Sequence, residues 1–291
     1  MELRLEPEES KGLQGVSITR CQQGKRSRVD DIVAREVPLE VRLNGRTLVH
    51  LMRLPGDEVL LAVGFCFSEG LISSREQVEC IHYRGEAYPG SLETLFPQAE
   101  VRPGSGDRGS SNLVDIKAST DTGTERYDAR LVRTGCGAAD LGREIDLSDI
   151  HVESDTRFPP GIIENAPGLL LEGQEVFQAT GGTHGAGLFG PGGQSLITRE
   201  DVGRHNAVDK VLGYLLLSGE RVDDKGLMLS GRLSYEMVLK GARAGIPLIC
   251  SISAPTALGV DVGVKTGVTL VGFLRGSSFN VYTHPERIGG S

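Results

Sequence analysis

Cys136 stands in Arg133-Thr-Gly-Cys-Gly-Ala138, between two glycines and far in sequence from every other cysteine. Inert cysteines sit in apolar runs, as Cys66 does in Gly-Phe-Cys-Phe and Cys250 in Leu-Ile-Cys-Ser-Ile, and both are read as core. Glycine on either side removes Cβ hindrance, so the sulfur can reach a partner. Positive charge favours a thiolate over a thiol, whose free pKa is about 8.5, and Arg133 supplies that charge. Local sequence alone leaves two readings open, a working thiol and an ordinary glycine-rich turn.

A second set of chemistry-bearing residues closes three successive predicted strands: Ser230-Gly-Arg232, Ser253-Ala-Pro255 and Arg275-Gly-Ser-Ser278. In open α/β sheets, ligands collect outside the carboxyl ends of parallel strands, where helix N-termini add N–H donors. Arginine beside glycine and serine at two of these ends suits a phosphate or pyrophosphate. Each turn taken singly is an ordinary strand-to-helix connection; three in one sheet favour a ligand. Asp201-Val-Gly-Arg-His-Asn-Ala-Val-Asp-Lys210 opens a helix with Asp201 as its expected N-cap. Val208, Val211, Leu212 and Leu215 form its buried stripe, and Arg204 falls in phase with them and should point inward. His205 and Asp209, four apart, are spaced to pair. A structural ion-pair network and a ligand role both stay open here. Thr183-His184, in a glycine-rich segment, is a further candidate for acid–base chemistry.

These residues need a frame. Residues 1–30 are polar and without periodicity and read as a loosely ordered arm. Residues 31–130 read as a small α+β subdomain. Its hairpin spans Leu39–Arg53 around Asn44-Gly45, and a helix from Asp57 to Phe67 is stopped by Gly70. Strands follow near Val78–Tyr83, Leu113–Ala118 and Tyr127–Val132. In residues 131–291 a Pro-rich stretch (Phe158 to Gly168) precedes two predicted strands, Val176–Thr180 and Gln194–Thr198, joined by a glycine-rich turn. Helices over Arg204–Ser218, Ser234–Ala244 and Thr256–Lys265 then alternate with strands over Leu227–Leu229, Pro247–Ser251, Val268–Leu274 and Phe279–Thr283. That alternation predicts α/β crossovers and a mostly parallel C-terminal sheet.

Composition narrows the function classes. Forty glycines and 5 % aromatics in 291 residues indicate many tight turns around an aliphatic core. A net charge of −8 disfavours general nucleic-acid or membrane-surface binding, without excluding a local basic pocket. Five cysteines, an odd number with no Cys-x-x-Cys, fit a reducing cytosol better than a disulfide scaffold. No apolar N-terminal h-region and no run long enough to cross a bilayer is present, so a cytoplasmic location is expected. Gly185-Ala-Gly-Leu-Phe-Gly190 matches the dinucleotide fingerprint but is followed by Pro-Gly-Gly and a strand, so it is read as a hairpin turn. His151-Val-Glu153 and His284-Pro-Glu286 match the H-x-E of zinc deaminases without the downstream P-C-x-x-C, so no metal is expected.

Taken in order, the segments resemble the FdhD/NarQ family of formate dehydrogenase accessory sulfurtransferases. The match runs from about residue 35 to 287. It includes Glu36-Val-Pro-Leu-Glu40, Leu61 to Gly70, Arg-Thr-Gly-Cys136-Gly, Gly181-Gly-Thr-His184, Asp201 to Lys210, Ser230 to Met237, Leu270 to Gly276 and Val281 to Arg287. The resemblance implies a cytidine-deaminase-like three-layer α/β fold and a homodimer. It implies that Cys136 accepts persulfide sulfur from a cysteine desulfurase and passes it to the bis-guanylyl molybdopterin cofactor destined for formate dehydrogenase. The family's cofactor-binding segment falls on Phe273, Leu274, Arg275, Gly276, Ser277 and Ser278, with GDP as a mimic; His184, Arg204, Ser230 and Arg232 are further pocket candidates. The family usually shows C-G-x-C where this chain has Cys136-Gly-Ala-Ala139, so Cys136 is the sole candidate carrier. The rivals are a guanine-nucleotide-type cofactor-binding chaperone without sulfur transfer and, in another class, a metal-dependent deaminase.

Overall fold

The computed structural model describes residues 12–85, 112–119, 130–132 and 147–289. The first described elements are β1 (Leu13–Gln22) and β2 (Lys25–Ala34), an antiparallel hairpin where the sequence suggests a loose arm. Gln23 and Gly24 both adopt positive φ at its turn. Nearly every side chain of the ribbon is solvated on both faces, so no buried alternation marks it.

The second hairpin forms as expected, from β3 (Val37–Leu43) and β4 (Arg46–Arg53). Asn44 and Gly45 both take left-handed conformations, as a two-residue primed turn requires. The Asn44 amide braces the turn by donating to the Ala118 carbonyl at 2.9 Å and accepting from the Ala118 N–H at 3.0 Å. With β5 (Val78–Arg84), β6 (Leu113–Ala118) and β7 (Arg130–Val132), these strands form a five-stranded sheet in the order β5-β6-β3-β4-β7. One face is apolar and packs on α1 (Glu58–Ser68) through Leu39, Val41, Leu61, Ile81 and Val114. The other face is polar.

Beyond residue 147, two local readings change. The Pro-rich stretch contains α2 (Pro160–Glu172), with Pro160 in the first turn, where its missing N–H costs nothing. Ile163, Ala166 and Leu170 bury at helical spacing despite Pro167. Val176–Thr180, predicted as a strand from its β-branched and aromatic content, lies in a short helix, α3 (Glu175–Thr180). The Glu200 carboxylate accepts from the N–H groups of Val176 (2.8 Å) and Phe177 (2.7 Å), and this tertiary cap outweighs propensity.

The second sheet contains β8 (His184–Phe189), β9 (Ser195–Asp201), β10 (Gly226–Leu229), β11 (Leu248–Ser251), β12 (Thr269–Arg275) and β13 (Ser278–Thr283), in the order β13-β12-β11-β10-β8-β9. It is mixed rather than mostly parallel. Only β10–β11 and β11–β12 pair in parallel, through the crossover helices α5 (Tyr235–Arg243) and α6 (Ala257–Thr266). The remaining three pairs are antiparallel: β8–β9 and β12–β13 are hairpins, and β8 also runs against β10. Gly185–Phe189 is therefore strand, and the turn falls at Gly190–Gln194. No helix follows the glycines, so the dinucleotide reading fails as anticipated.

Side chains alternate across this sheet. Ala186, Leu188, Leu227, Leu229, Ile249 and Leu270 face α5, α6 and α4 (Arg204–Ser218). Phe189, Met228, Leu248, Cys250 and Val271 face α2. The result is a three-layer α/β unit. The two sheets meet where α1 crosses α4 at Gly64 and Gly213. A Cβ on Gly64 would run into the Asp209 carbonyl, and one on Gly213 into that of Leu60. Backbone-to-backbone approach of this kind demands glycine.

Candidate functional site

The carboxyl ends of β10, β11 and β12 lie side by side, as the parallel pairing dictates. Their turns are laced together. Ser251 Oγ donates to the Gly231 carbonyl at 2.5 Å and accepts from Ser253 N at 2.9 Å. Leu233 N–H donates to Ala254 O at 3.1 Å, and Phe273 N–H to Ser253 O at 3.0 Å. The three turns picked out by sequence are thus one surface.

His184, at the start of β8, runs antiparallel to β10 and arrives beside Ser230. Ser230 Oγ lies 3.3 Å from His184 Nδ1 and accepts from Gly185 N–H at 3.0 Å. Arg204, in the first turn of α4, packs its stem over Gly231, where even a Cβ would come within 3.3 Å of Arg204 Cδ. Its Nε is buried and finds no hydrogen-bond partner among the described residues. Burial, with Arg204 and His205 adding to it, pulls the His184 imidazole below the usual histidine value. His184, Arg204 and Ser230 therefore come together, with the exposed Arg232 two residues beyond Ser230.

The predicted pair of His205 and Asp209 does not form. His205 Nε2 instead lies 2.5 Å from Glu236 Oε2 in the first turn of α5. That hydrogen bond holds the Glu236 carboxyl below the usual range. Asp209 turns inward to Lys240 Nζ (2.9 Å) and Ser68 Oγ (2.7 Å). Burial opposes the Lys240 ammonium, yet Asp209 and Glu69 outweigh it and keep the amine protonated.

Asp201 is not the helix cap; that position is Gly203. Fully buried, Asp201 accepts from Gly203 N–H (3.0 Å), Asn206 Nδ2 (2.8 Å) and Leu54 N–H (3.1 Å), and pairs with Lys210 Nζ at 2.9 Å. This cluster fixes the first turn of α4, and with it Arg204 and His205. Asn206, Lys210 and Glu236 are absent from the sequence-based site. Lys210 falls opposite the stripe of Val208, Val211, Leu212 and Leu215, so helical spacing reads it as solvated and gives no signal for its burial.

At the outer turn, Phe273 has φ 53 and is 41 % exposed. The Arg275 guanidinium carbon lies 6.0 Å from its ring centroid. Gly276, Ser277 and Ser278 are exposed, whereas Leu274 points into the core against α2 and offers no side chain to a ligand. Cys136 and Arg133 lie outside the described residues. The strand that leads to them, β7, pairs in parallel with β4, Val132 beside Leu51. The next residue of β4, Met52, accepts from Asn206 in the first turn of α4 at 2.8 Å.

A separate open groove of about 570 Å³, lined by His151, Asp155, Asp223, His284 and Arg287, lies at the amino ends of the parallel strands, away from these groups. Arg287 crosses it to donate to the carbonyls of Val152, Ser154 and Gly267, which gives it a structural part. Among the described residues no group of three or more His, Cys, Asp or Glu is placed to hold a metal ion, and no helix is long and apolar enough to cross a membrane.

Residues 34–289 match the FdhD/NarQ family profile. The sulfur carrier protein FdhD of Sulfurisphaera tokodaii is 40% identical over 263 residues, covering 89% of this chain and 92% of that protein. The sulfur carrier protein FdhD of Streptomyces coelicolor is 38% identical over 282 residues, 93% of this chain and 94% of that one. The crystal structure of a protein described as a formate dehydrogenase accessory protein from Desulfotalea psychrophila superimposes with TM-score 0.71 at 28% identity, over 96% of this chain and 100% of the other.

Proposed function

Since the chain belongs to the FdhD/NarQ family, we propose that it is a sulfur carrier for the maturation of formate dehydrogenase. Cys136 accepts a sulfur as persulfide from a cysteine desulfurase and hands it to a bis-guanylyl molybdopterin cofactor that is substrate rather than resident group. The chain works in the cytoplasm as a homodimer. The observation that carries this reading is the similarity to sulfur carrier proteins along nine-tenths of the chain.

The strand-end surface supports the cofactor half. A guanylyl group carries an aromatic base and a diphosphate. Phe273, exposed and stacked with Arg275, offers the base a flat face. The Arg204 Nε, without a partner among the described residues, the Ser230 hydroxyl and the exposed Arg232 suit the anionic oxygens. A persulfide is more acidic than a thiol, so the same positive surface would also receive anionic sulfur.

Incubation with a cysteine desulfurase and cysteine should add the mass of one sulfur atom to the Cys136 peptide. Cys136→Ala should abolish formate dehydrogenase maturation and leave GDP binding intact. Maturation that survives this change would refute the carrier role. A second reading, a cofactor-binding chaperone without sulfur transfer, is favoured by Ala139, which removes a resolving thiol. It predicts GDP binding with no sulfur adduct.

A further inference from the structure

Among the described residues the β1–β2 ribbon gains no third strand; it is a sheet of two with a free edge on either side. A lone two-stranded ribbon is marginal in water and needs something to cover an apolar face. This one is attached at its root, where Gly12 meets Leu54 and Val176, and Gly182 meets Ala34. From there ten cross-strand pairs, about 33 Å of ribbon at the usual strand rise, carry side chains that are largely exposed.

The register decides what each face holds, because the two members of a pair share a face and successive pairs alternate. One face carries Gln14 with Val33 at the root, then Val16 with Asp31, Ile18 with Val29, and Arg20 with Ser27. Val33 is 41 % exposed, and Val16, Ile18 and Val29 are partly exposed. On the other face Ser17 with Asp30 and Thr19 with Arg28 are polar. Charge is segregated along the ribbon as well. Between Ser17 and Val29 the charged residues are Arg20, Lys25, Arg26 and Arg28, all cationic, whereas Asp30 and Asp31 lie toward the root. That tip belongs to a chain of net charge −8. Inside one chain Arg20 and Asp31 are held loosely. Asp31 Oδ1 accepts from Ile32 N–H at 2.9 Å, and its Oδ2 stands 4.0 Å from Arg20 Nη2, with both side chains about half exposed.

On the reading that the chain is a homodimer, we propose that this face of the ribbon is where two copies associate, tip toward root. The Ile18–Val29 pair lies midway between the pair that holds Asp31 and the pair that holds Arg20. The face is therefore complementary to itself. A two-fold axis at Ile18 and Val29 sets apolar side chains on each other at the centre and brings each Asp31 beside the Arg20 of the second copy. The same turn carries the cationic tip of one ribbon toward the acidic root of the other. A different partner with an acidic surface would match the tip and be repelled by Asp31 on the same face.

Sedimentation equilibrium on the whole chain, over about 1 to 100 µM, reads the association constant. Ile18→Glu puts like charges on the axis and should weaken dimerisation by roughly tenfold or more. Arg20→Glu and Asp31→Lys should each weaken it too, because each leaves the face with charges of one sign. Mixed together, the two single variants should associate as a heterodimer, followed with a fluorescent label on one of them. An Arg20–Asp31 pair that acts within one chain gives no such rescue, and both changes are at exposed positions that leave the core intact. A mixture that associates no more tightly than either variant alone, or a dimer indifferent to Ile18→Glu, would overturn the ribbon interface and leave the homodimer to another surface. A parent chain that stays monomeric across the range would overturn both and leave the ribbon face to a different protein.

Discussion

His184 shows how a single side chain reports on its surroundings. Its folded-state pKa is depressed, so between that value and the unfolded value of about 6.5 the unfolded chain binds more protons. Stability contributed by keeping it neutral is present above about pH 6.5 and lost as pH falls through that window. His184→Gln should therefore flatten the low-pH side of the stability curve, read by urea titration. A bound phosphate would favour the imidazolium, so GDP affinity should rise as pH drops through the same interval, as calorimetry can check. Lys240 makes the complementary case, because its ammonium is buried and held by Asp209 and Glu69. Asp209→Leu alone should cost about 3 kcal/mol, whereas Asp209→Leu with Lys240→Met should recover most of the loss. Equal losses in the single and double variants would show that the pair is not coupled.

Among the elements, the crossing of α1 and α4 is the least tolerant. Gly64→Ala and Gly213→Ala each force a methyl into a facing carbonyl and should destabilise by at least about 2 kcal/mol. Gly15→Ala in β1 meets nothing and should be neutral within a few tenths. Chemical denaturation of the three variants compares them directly. The elements that packing makes periodic were legible beforehand: the Asn44-Gly45 hairpin, the stripe of α4 and the β10–α5–β11–α6–β12 run. Those shaped by tertiary bonds or by solvent were not. Glu200, twenty-odd residues away, decides that α3 is helical, and β1–β2 has no buried face to betray it. The site divides along the same line. Ser230 could be placed by type and strand position, whereas His184 is legible by type alone, because its glycine-rich segment reads as a turn and folds as β8. Glu236 and Asp201 acquire their roles only when the first turns of two helices and the end of β4 meet, which no local window contains.

At the scale of the molecule, α4 belongs to both halves. It packs against α1 beneath one sheet and lies on β8 and β9 of the other, while Lys210 reaches the carbonyls of Leu54 (3.2 Å) and Glu200 (3.0 Å) on the two sides. Guanidinium unfolding followed by circular dichroism and by a label on β5 should give one coincident transition. A Gly213→Ala variant, with the bearing spoiled, should split it. Lys210 also has a consequence for anyone redesigning the protein. Besides the Asp201 carboxylate, its amine is anchored to main-chain oxygens of both halves, so neither sheet can be exchanged for that of a distant relative as a detachable cassette. Chimeras cut between residues 54 and 200 should come out insoluble, while grafts confined to the surface turns after β10, β11 and β12 inherit an intact chassis.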